Sequence, residues 1–220
     1  MANICYDYIM TKEKLFHLPK PPSVGSQHNE LVIFDVETNG LTPACSVLSI
    51  SALKVSIDLA QGTFHDETFF SRYYYPKENY NSRAIAVNGL TAERIAKHRE
   101  NFDYPNYFAE DIDSFSNFIA GVQHFIGHNI SFDTRFLPFS LPRTFCTMFS
   151  NTSIVKAAWM PQKNDWKWPS LQETARHYNI NIDPDSFHDS NYDVLITYRI
   201  FKKMFMAENT RDIITKFILT

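Results

Sequence analysis

The residues of this chain best suited to chemistry are acidic, and the first two form a closely spaced pair. Asp35 directly follows the apolar run of residues 31–34, and Glu37 lies two residues further along the chain. Side chains two positions apart on a strand point to the same face, so both carboxylates could bind one cation where the strand ends. Taken alone, D-x-E is a common pattern that is more typical of a polar strand end entering a turn, and both interpretations stay open at this point.

Three further candidate residues lie later in the chain. Asp133 follows the segment 127–132 at the start of a predicted helix, where a carboxylate is also stabilised by the helix dipole without any catalytic role. His188 precedes Asp193 by five residues, and Asp193 lies on a predicted helix that begins at about Ser190. A single histidine at a junction between a loop and a helix is often an ordinary surface residue, so the meaning of each position depends on the others.

Taken together, these motifs resemble those of the DnaQ-like, or DEDDh, exonuclease family. The chain has D-x-E on the first strand, H-N-x-x-F-D at residues 128–133 and H-x-x-x-x-D at residues 188–193. The resemblance covers residues 31 to about 205 and implies an RNase H-like fold. Within the family, segment 127–137 is most similar to bacterial polymerase III epsilon-type proofreading exonucleases and to exonuclease X. A sister group has tyrosine where this chain has Asp189, which indicates the histidine branch.

The resemblance implies a role for each candidate residue in hydrolysis of a phosphodiester bond. Asp35 would bridge two Mg²⁺ ions, Glu37 and Asp193 would complete the site of the water-activating ion, and Asp133 would help hold the second ion through water. Two such cations activate the nucleophile and stabilise both the attacking and the leaving oxygen, and Mg²⁺ prefers oxygen ligands. Mn²⁺ is expected to substitute. His188 would be the general base, since an unperturbed imidazole titrates near pH 6.5.

The resemblance also implies contacts to the terminal nucleotide and an overall activity. Thr38 and Leu41 would contact the terminal nucleotide, and Asn129 would hydrogen-bond near the site. The predicted enzyme is a 3′-to-5′ exonuclease that acts on single-stranded or frayed DNA ends and releases nucleoside 5′-monophosphates, in repair or proofreading. Two alternatives stay open: an exoribonuclease that trims RNA 3′ ends, and a catalytically weak module that tethers a polymerase or repair partner.

Periodicity predicts the elements that must position these residues. Residues 31–35, 47–55 and 64–75 are β-rich and predict three strands in an antiparallel meander. Apolar spacing of three and four predicts a helix over residues 108–122, followed by a short strand at 125–127. A strand at 144–148, a helix from Ser170 to Tyr178 with the capping pair Ser170 and Glu173, and a final helix from about Ser190 complete the expectation. The fold class predicted is α/β, with a mixed central sheet and helices packed against it.

Composition bounds the remaining possibilities. The net charge of −3 and pI near 6.2 argue against a protein that coats nucleic acid by bulk electrostatics. No continuous apolar stretch is long enough for a membrane span, and the three cysteines form no CxxC pair, so we expect no membrane contact and a cytoplasmic location. We predict an N-terminal appendage at 1–28 that could bind a polymerase or repair protein, an exonuclease domain at 29–208 and a C-terminal helical extension at 209–220.

One further segment has a composition suited to binding nucleic acid. Trp159, Trp166 and Trp168 alternate with Lys163 and Lys167. Aromatic rings that stack on bases, combined with positive charge, are typical of surfaces that bind single strands. A hydrophobic anchor for a loop explains the same residues equally well, so both interpretations stay open from the sequence.

Overall fold

The sheet at the centre of the protein has five strands and mixed direction. A computed structural model describes residues 29–220, so the appendage predicted at 1–28 lies outside the described residues. The strands are β1 (Asn29–Thr38), β2 (Val47–Asp58), β3 (Thr63–Tyr73), β4 (His124–Gly127) and β5 (Arg143–Cys146), in the order β3-β2-β1-β4-β5. β2 pairs antiparallel with β1 and β3, whereas β4 is parallel to β1 and β5. The predicted meander and mixed sheet are confirmed.

Eight α-helices and a small hairpin surround this sheet within residues 29–220. The helices are α1 (Ser82–Asn88), α2 (Ala92–Arg99), α3 (Phe108–Phe118), α4 (Ile130–Asp133), α5 (Thr147–Val155), α6 (Leu171–His177), α7 (Ser190–Met206) and α8 (Glu208–Leu219). The hairpin consists of β6 (Trp159–Met160) and β7 (Asp165–Trp166). None of the helices described has the length and apolar character needed to cross a membrane.

β1 is buried on both faces, and the alternation of its side chains between these faces decides where the acidic residues point. Leu31 and Ile33 belong to the core that contains Phe201 of α7, and Phe34 belongs to the core on the opposite face, with Phe115 of α3. Burying one such large apolar side chain contributes about 1.5–3 kcal/mol, so the strand is held firmly between the two helix layers. Asp35 and Glu37 continue the face of Leu31 and Ile33, and therefore lie on the side of α7.

Two predicted elements end earlier than expected. The strand predicted at 144–148 ends at Cys146, because Cys146 caps α5 by accepting a hydrogen bond from the backbone N–H of Phe149. The helix predicted at 108–122 ends at Phe118, shortly before Gly121, which has a φ of 83°. Val122 is nevertheless buried, which explains why the apolar spacing extends beyond the helix.

The C-terminal region contains two helices that follow one another directly. α7 ends at Met206 because Ala207 is extended, with φ −86° and ψ 131°, and α8 follows from Glu208. The segment 209–220, predicted as a C-terminal helical extension, lies in α8 apart from Thr220, and Ile214 and Ile218 of α8 enter the same core as α7. Earlier in the chain, the capping box of Ser170 and Glu173 at the start of α6 is present as predicted.

Candidate active site

The first two acidic residues lie at the end of β1, beside a change of register. Asp35 pairs with Ser51 of β2 and Glu37 with Ser49, and a bulge follows between Glu37 and Thr38. Bulges bend a strand and redirect its side chains, and they are common next to functional sites. The chain therefore leaves the sheet directly after presenting both carboxylates.

Asp133 reaches the same place through the parallel pairing of β1 with β4. Ile33 pairs with Ile126, so the chain that leaves β4 emerges beside Asp35. Gly127 permits the turn into α4, since a Cβ there would lie 2.9 Å from the Cβ of Ile130. Asp133 in α4 is buried, and its Oδ1 accepts a 3.2 Å hydrogen bond from the backbone N–H of Val36.

His188 and Asp193 come from the start of α7, which packs on β1 and β2. Asp193 lies in the first turn of this helix, and its Oδ2 accepts a 3.2 Å hydrogen bond from the backbone N–H of His188. His188 has a left-handed backbone, with φ 66°, and an exposed side chain. One ligand atom from each of Glu37, His188 and Asp193 lies within 4.8 Å of the others.

Burial and mutual repulsion disfavour the charged form of all four carboxyl groups. Burial, followed by the charges of Asp133, Asp193 and Glu37, raises the pKa of Asp35 well above its ordinary value. Burial and the charge of Asp193 raise the pKa of Glu37 in the same way. Burial raises the pKa of Asp133 and that of Asp193 to about 7 each. Like charges crowded in a low-dielectric site are expected to behave in this way until a cation compensates them.

The chemistry of these donors fits a divalent metal. Oδ2 of Asp35 and Oδ1 of Asp193 are buried and have no hydrogen-bond partner in the part of the chain that the structure describes. Buried charged oxygens without a partner are costly unless they coordinate a metal or pair with a cation. The free oxygens, the group of Glu37, His188 and Asp193, and the raised pKa values all point to a cation site at this end of β1.

A cavity of about 620 Å³ opens beside these residues and is the size of a small-molecule site. It is lined by the three residues predicted to lie near the nucleotide, Thr38, Leu41 and Asn129. Leu41 is 78% exposed, and Val87 of α1, which also lines the cavity, is 58% exposed. The Thr38 hydroxyl donates to the carbonyl oxygen of Gly40, which fixes the turn after β1. Nucleotide contact by these three residues stays a prediction.

Sequence reasoning did not assign a role to Asn88, which supports the acidic end of β1. Its side chain hydrogen-bonds Glu37 and donates a 3.2 Å hydrogen bond to the carbonyl oxygen of Thr38. Its Oδ1 accepts from the backbone N–H of Leu90. Asn88 lies in the sequence Val87-Asn88-Gly89-Leu90-Thr91, and nothing in these residues shows that Asn88 reaches across to β1.

A buried polar network, also not predicted, fixes the start of α7 on the sheet. The Ser190 hydroxyl lies 2.9 Å from that of Ser49 and 2.8 Å from that of Ser51, both on β2. The Asn191 side chain accepts from Ser51 and donates to the Tyr73 hydroxyl. Serine and asparagine give no periodic signal, so the sequence contained no pattern that marks this network.

The five-stranded mixed sheet and the acidic site at the end of its central strand are those of a nuclease of the RNase H-like class. A family model described as Exonuclease matches residues 32–201. The chain belongs to this family, the DnaQ-like 3′-to-5′ exonucleases. It is therefore an exonuclease whose partner is nucleic acid, and members of the family generally require divalent metal ions. The predicted family and enzyme class are confirmed.

Solved structures share this fold. Exonuclease X in complex with 5′ overhanging duplex DNA aligns with a TM-score of 0.59 and 24% identity over 81% of this chain and 93% of that one. Zinc-bound Escherichia coli exonuclease I with single-stranded DNA aligns with a TM-score of 0.58 and 15% identity, over 83% of this chain and 42% of that one. Exonuclease I from Methylocaldum szegediense aligns with a TM-score of 0.59 and 15% identity, over 82% of this chain and 41% of that one. This chain therefore spans about two fifths of the length of the exonuclease I chains. The predicted RNase H-like fold is confirmed. A comparison with curated proteins gives no significant match.

Proposed function

We propose that this chain hydrolyses terminal phosphodiester bonds of DNA, at single-stranded or frayed 3′ ends, and releases nucleoside 5′-monophosphates. One observation carries the proposal: Asp35 and Glu37 from β1, Asp133 from α4 and Asp193 from α7 converge with His188 at one end of the cavity. Residues from three separate elements meet there although their burial without cations is unfavourable. Such an arrangement is expected where charge stabilisation serves a reaction.

The four carboxylates are proposed to hold two Mg²⁺ ions. When bound, these ions supply a nucleophile at neutral pH and neutralise charge on the attacking and leaving oxygens. The donors are oxygens, which suits Mg²⁺, and Mn²⁺ accepts the same ligands. The unpartnered oxygens of Asp35 and Asp193 supply two of the binding atoms.

His188 is proposed to accept the proton of the attacking water. Its side chain is exposed to the cavity, and a ring nitrogen lies within 4.8 Å of carboxylate oxygens of Glu37 and Asp193. The hydrogen bond from its backbone N–H to Asp193 holds the left-handed turn, so the ring is presented from a fixed backbone. A general base in this position contributes roughly 10²–10⁴ in rate.

Two exposed apolar side chains of the cavity wall suit a terminal nucleotide. Leu41 and Val87 are apolar, exposed and on the cavity wall, and we propose that the terminal base packs against them. In this arrangement a free 3′-hydroxyl lies near Glu37 and Thr38, and Asn129 offers an amide from the wall of the same cavity. A phosphate at that position would add negative charge beside four carboxylates, which favours an unmodified 3′ end.

DNA is the proposed substrate because the related exonuclease X and exonuclease I were solved with DNA. A polymerase or repair partner that binds residues 1–28 and a cytoplasmic location stay predictions. The first of these concerns residues outside the described part of the chain.

The test is product analysis on 5′-labelled single-stranded DNA, frayed duplex DNA and RNA of equal length, with Mg²⁺ and with chelator. We expect a ladder of shortening DNA and nucleoside 5′-monophosphates only with Mg²⁺. Faster digestion of RNA would replace the DNA proposal with the exoribonuclease alternative. Absence of products from every substrate, with metal binding intact, would favour the tethering module.

A further inference from the structure

A hairpin outside the acidic site, together with the two residues that follow it, contains all three tryptophans of the chain. Trp159 of β6 pairs with Trp166 of β7, and their rings meet edge to face with centroids 5.1 Å apart. Trp168 follows and meets Phe149 of α5 in the same way at 5.0 Å. Trp159, Trp168 and Phe149 are nevertheless 48%, 54% and 44% exposed. Contiguous exposed aromatic rings of this kind mark a binding surface more often than isolated apolar residues do.

Lysines lie over these rings. Nζ of Lys156 is 5.7 Å from the ring centroid of Trp166, and Nζ of Lys163 is 5.8 Å from that of Trp168. We call the six residues Phe149, Lys156, Trp159, Lys163, Trp166 and Trp168 the aromatic–lysine patch. Centres of protein interfaces are depleted in lysine, whereas surfaces for single-stranded nucleic acid combine stacking rings with positive charge. The composition therefore favours nucleic acid over a protein partner.

The aromatic–lysine patch lies close along the chain to residues of the active-site cavity wall. Leu171, three residues after Trp168, lines that cavity, and three residues span at most about 11 Å. Between them, the carbonyl oxygen of Pro169 accepts a 3.1 Å hydrogen bond from Nε2 of His128, another residue of the cavity wall. A strand whose 3′ end occupies the cavity therefore reaches the patch within a few nucleotides, at about 3.4 Å per stacked step.

The base of the hairpin is held in place by α6. Glu173 accepts a 2.7 Å hydrogen bond from the backbone N–H of Ser170 and a 2.9 Å hydrogen bond from Nζ of Lys167. The backbone N–H of Lys167 donates to the carbonyl oxygen of Ala158, which closes the hairpin. These fixed contacts hold the hairpin against α6, so little ordering is needed when a strand binds.

We propose that the aromatic–lysine patch binds the single strand upstream of the terminal nucleotide. Bases stack on Trp159 and Trp168, and Lys156 and Lys163 contact the phosphates. The inference rests on the proposed function, because it requires a 3′ end in the cavity. Since the whole chain carries a net charge of −3, attraction of the strand outside the cation site depends on such local lysines.

Tryptophan fluorescence tests this directly, because the three tryptophans all lie in the patch. The full chain with His188→Asn, in Mg²⁺, is titrated with a thymidylate dinucleotide and a ten-nucleotide thymidylate strand. We expect the longer strand to quench the emission and the dinucleotide to leave it unchanged. Trp159→Ala and Trp168→Ala should each weaken binding of the longer strand roughly 5- to 100-fold, the loss of one stacked base. Trp168→Phe, which keeps a ring, should retain most of the affinity.

Matched variants separate the patch from general surface effects. Lys163→Gln should reduce the slope of log Kd against log salt by about 1. Lys203→Gln, an exposed lysine on α7, and Phe102→Ala, an exposed ring after α2, should bind like wild type. Equal losses in Lys203→Gln, or unchanged binding in both tryptophan variants and in Lys163→Gln, would overturn the inference.

Failure of the inference and failure of the proposed function give different results. If wild type digests the strand and Trp168→Ala digests it with an unchanged KM, the exonuclease proposal stands and the patch proposal is wrong. If wild type digests nothing in Mg²⁺ but the longer strand still quenches the emission, the patch proposal stands and the catalytic proposal is wrong. Circular dichroism melting of each tryptophan variant confirms that a loss of binding is not a loss of folding.

Discussion

The backbone N–H of Val36 donates a hydrogen bond to Oδ1 of Asp133, 97 residues further along the chain. Val36 lies between Asp35 and Glu37, so the strand that carries the first two carboxylates also holds the third. The hydrogen bond uses one oxygen of Asp133, and a contact of this kind favours the ionised form of a carboxyl group. Burial nevertheless raises the pKa of Asp133 to about 7. The position of α4 against β1 is therefore part of the site.

Isosteric removal of a carboxylate from β1 should separate catalysis from folding. We expect Asp35→Asn and Glu37→Gln to lower kcat to below about one-tenth of wild type at saturating Mg²⁺, because each removes a proposed ligand of the cations. The melting temperature in chelator should not fall, because each change also removes a buried repulsive charge. Glu30→Gln, at the exposed start of the same strand, is the control and should keep wild-type activity. Near-normal kcat in Asp35→Asn would reject the metal assignment.

Replacement of the proposed general base should reduce turnover without changing metal affinity. We choose His188→Asn because asparagine tolerates the left-handed backbone at this position. The expected loss in kcat is roughly 10²–10⁴. His177→Asn, an exposed histidine on α6, is the control. A loss smaller than about fivefold, with chemistry rate-limiting, contradicts the assignment.

The protein in chelator should become less stable as the pH rises through 7. The pKa values of Asp133 and Asp193 are raised by burial to about 7 in the folded state, so the folded state keeps protons that the unfolded state has released. The stability that these two groups contribute is present at low pH, decreases as the pH rises toward 7, and is lost above about 7. Burial lowers the pKa of His128 from 6.5 to about 4. This histidine makes the folded state more stable as the pH rises, but only below pH 6.5, so it does not affect the expected loss of stability above that pH.

Thermal melting between pH 6.5 and about 8 measures this effect. The melting temperature in chelator should fall over that range, and Mg²⁺ should raise it more at the upper end than at the lower end. Asp133→Asn and Asp193→Asn should both flatten the pH dependence in chelator. A melting temperature that rises with pH in chelator would show that these carboxyl groups are ionised in the folded protein.

Asn88 should matter for stability as well as for activity. Asn88→Ala leaves the buried carbonyl of Thr38 and the N–H of Leu90 without their partner, and we expect a loss of about 1–3 kcal/mol in the free energy of unfolding. Urea denaturation measures it. Asn117→Ala, on the exposed face of α3, should change stability by no more than about 0.5 kcal/mol. Equal effects of the two substitutions would show that the Asn88 contacts are dispensable.

A blocked 3′ end should stop digestion. A strand that carries a 3′-phosphate adds charge beside the four carboxylates, so we expect its degradation to be much slower than that of the same strand with a 3′-hydroxyl. A 5′-phosphate should have little effect and serves as the control. Gel analysis of internally labelled strands measures both. Cleavage of a circular single strand, or equal rates with either 3′ group, would indicate a nuclease that does not require an end.

Features encoded in short segments were predictable from the sequence. The apolar run 31–34 specified a strand buried on both faces, and D-x-E at its end placed Asp35 and Glu37 on one face because strand alternation is local geometry. The capping pair of Ser170 and Glu173 predicted the start of α6 for the same reason. Order and spacing of the three acidic motifs were enough to indicate the family, which the match to residues 32–201 confirms.

Only the tertiary structure decided how these segments meet. The parallel pairing of Ile33 with Ile126 brings Asp133 to β1, and the hydroxyl network around Ser190 fixes the helix that carries Asp193. Ala207 divides the last helix because α8 must turn back to bury Ile214 in the shared core. These contacts join residues far apart in the chain. Their strength comes from burial and hydrogen bonds that exist only once the sheet and both helix layers have packed, so no local pattern encodes them.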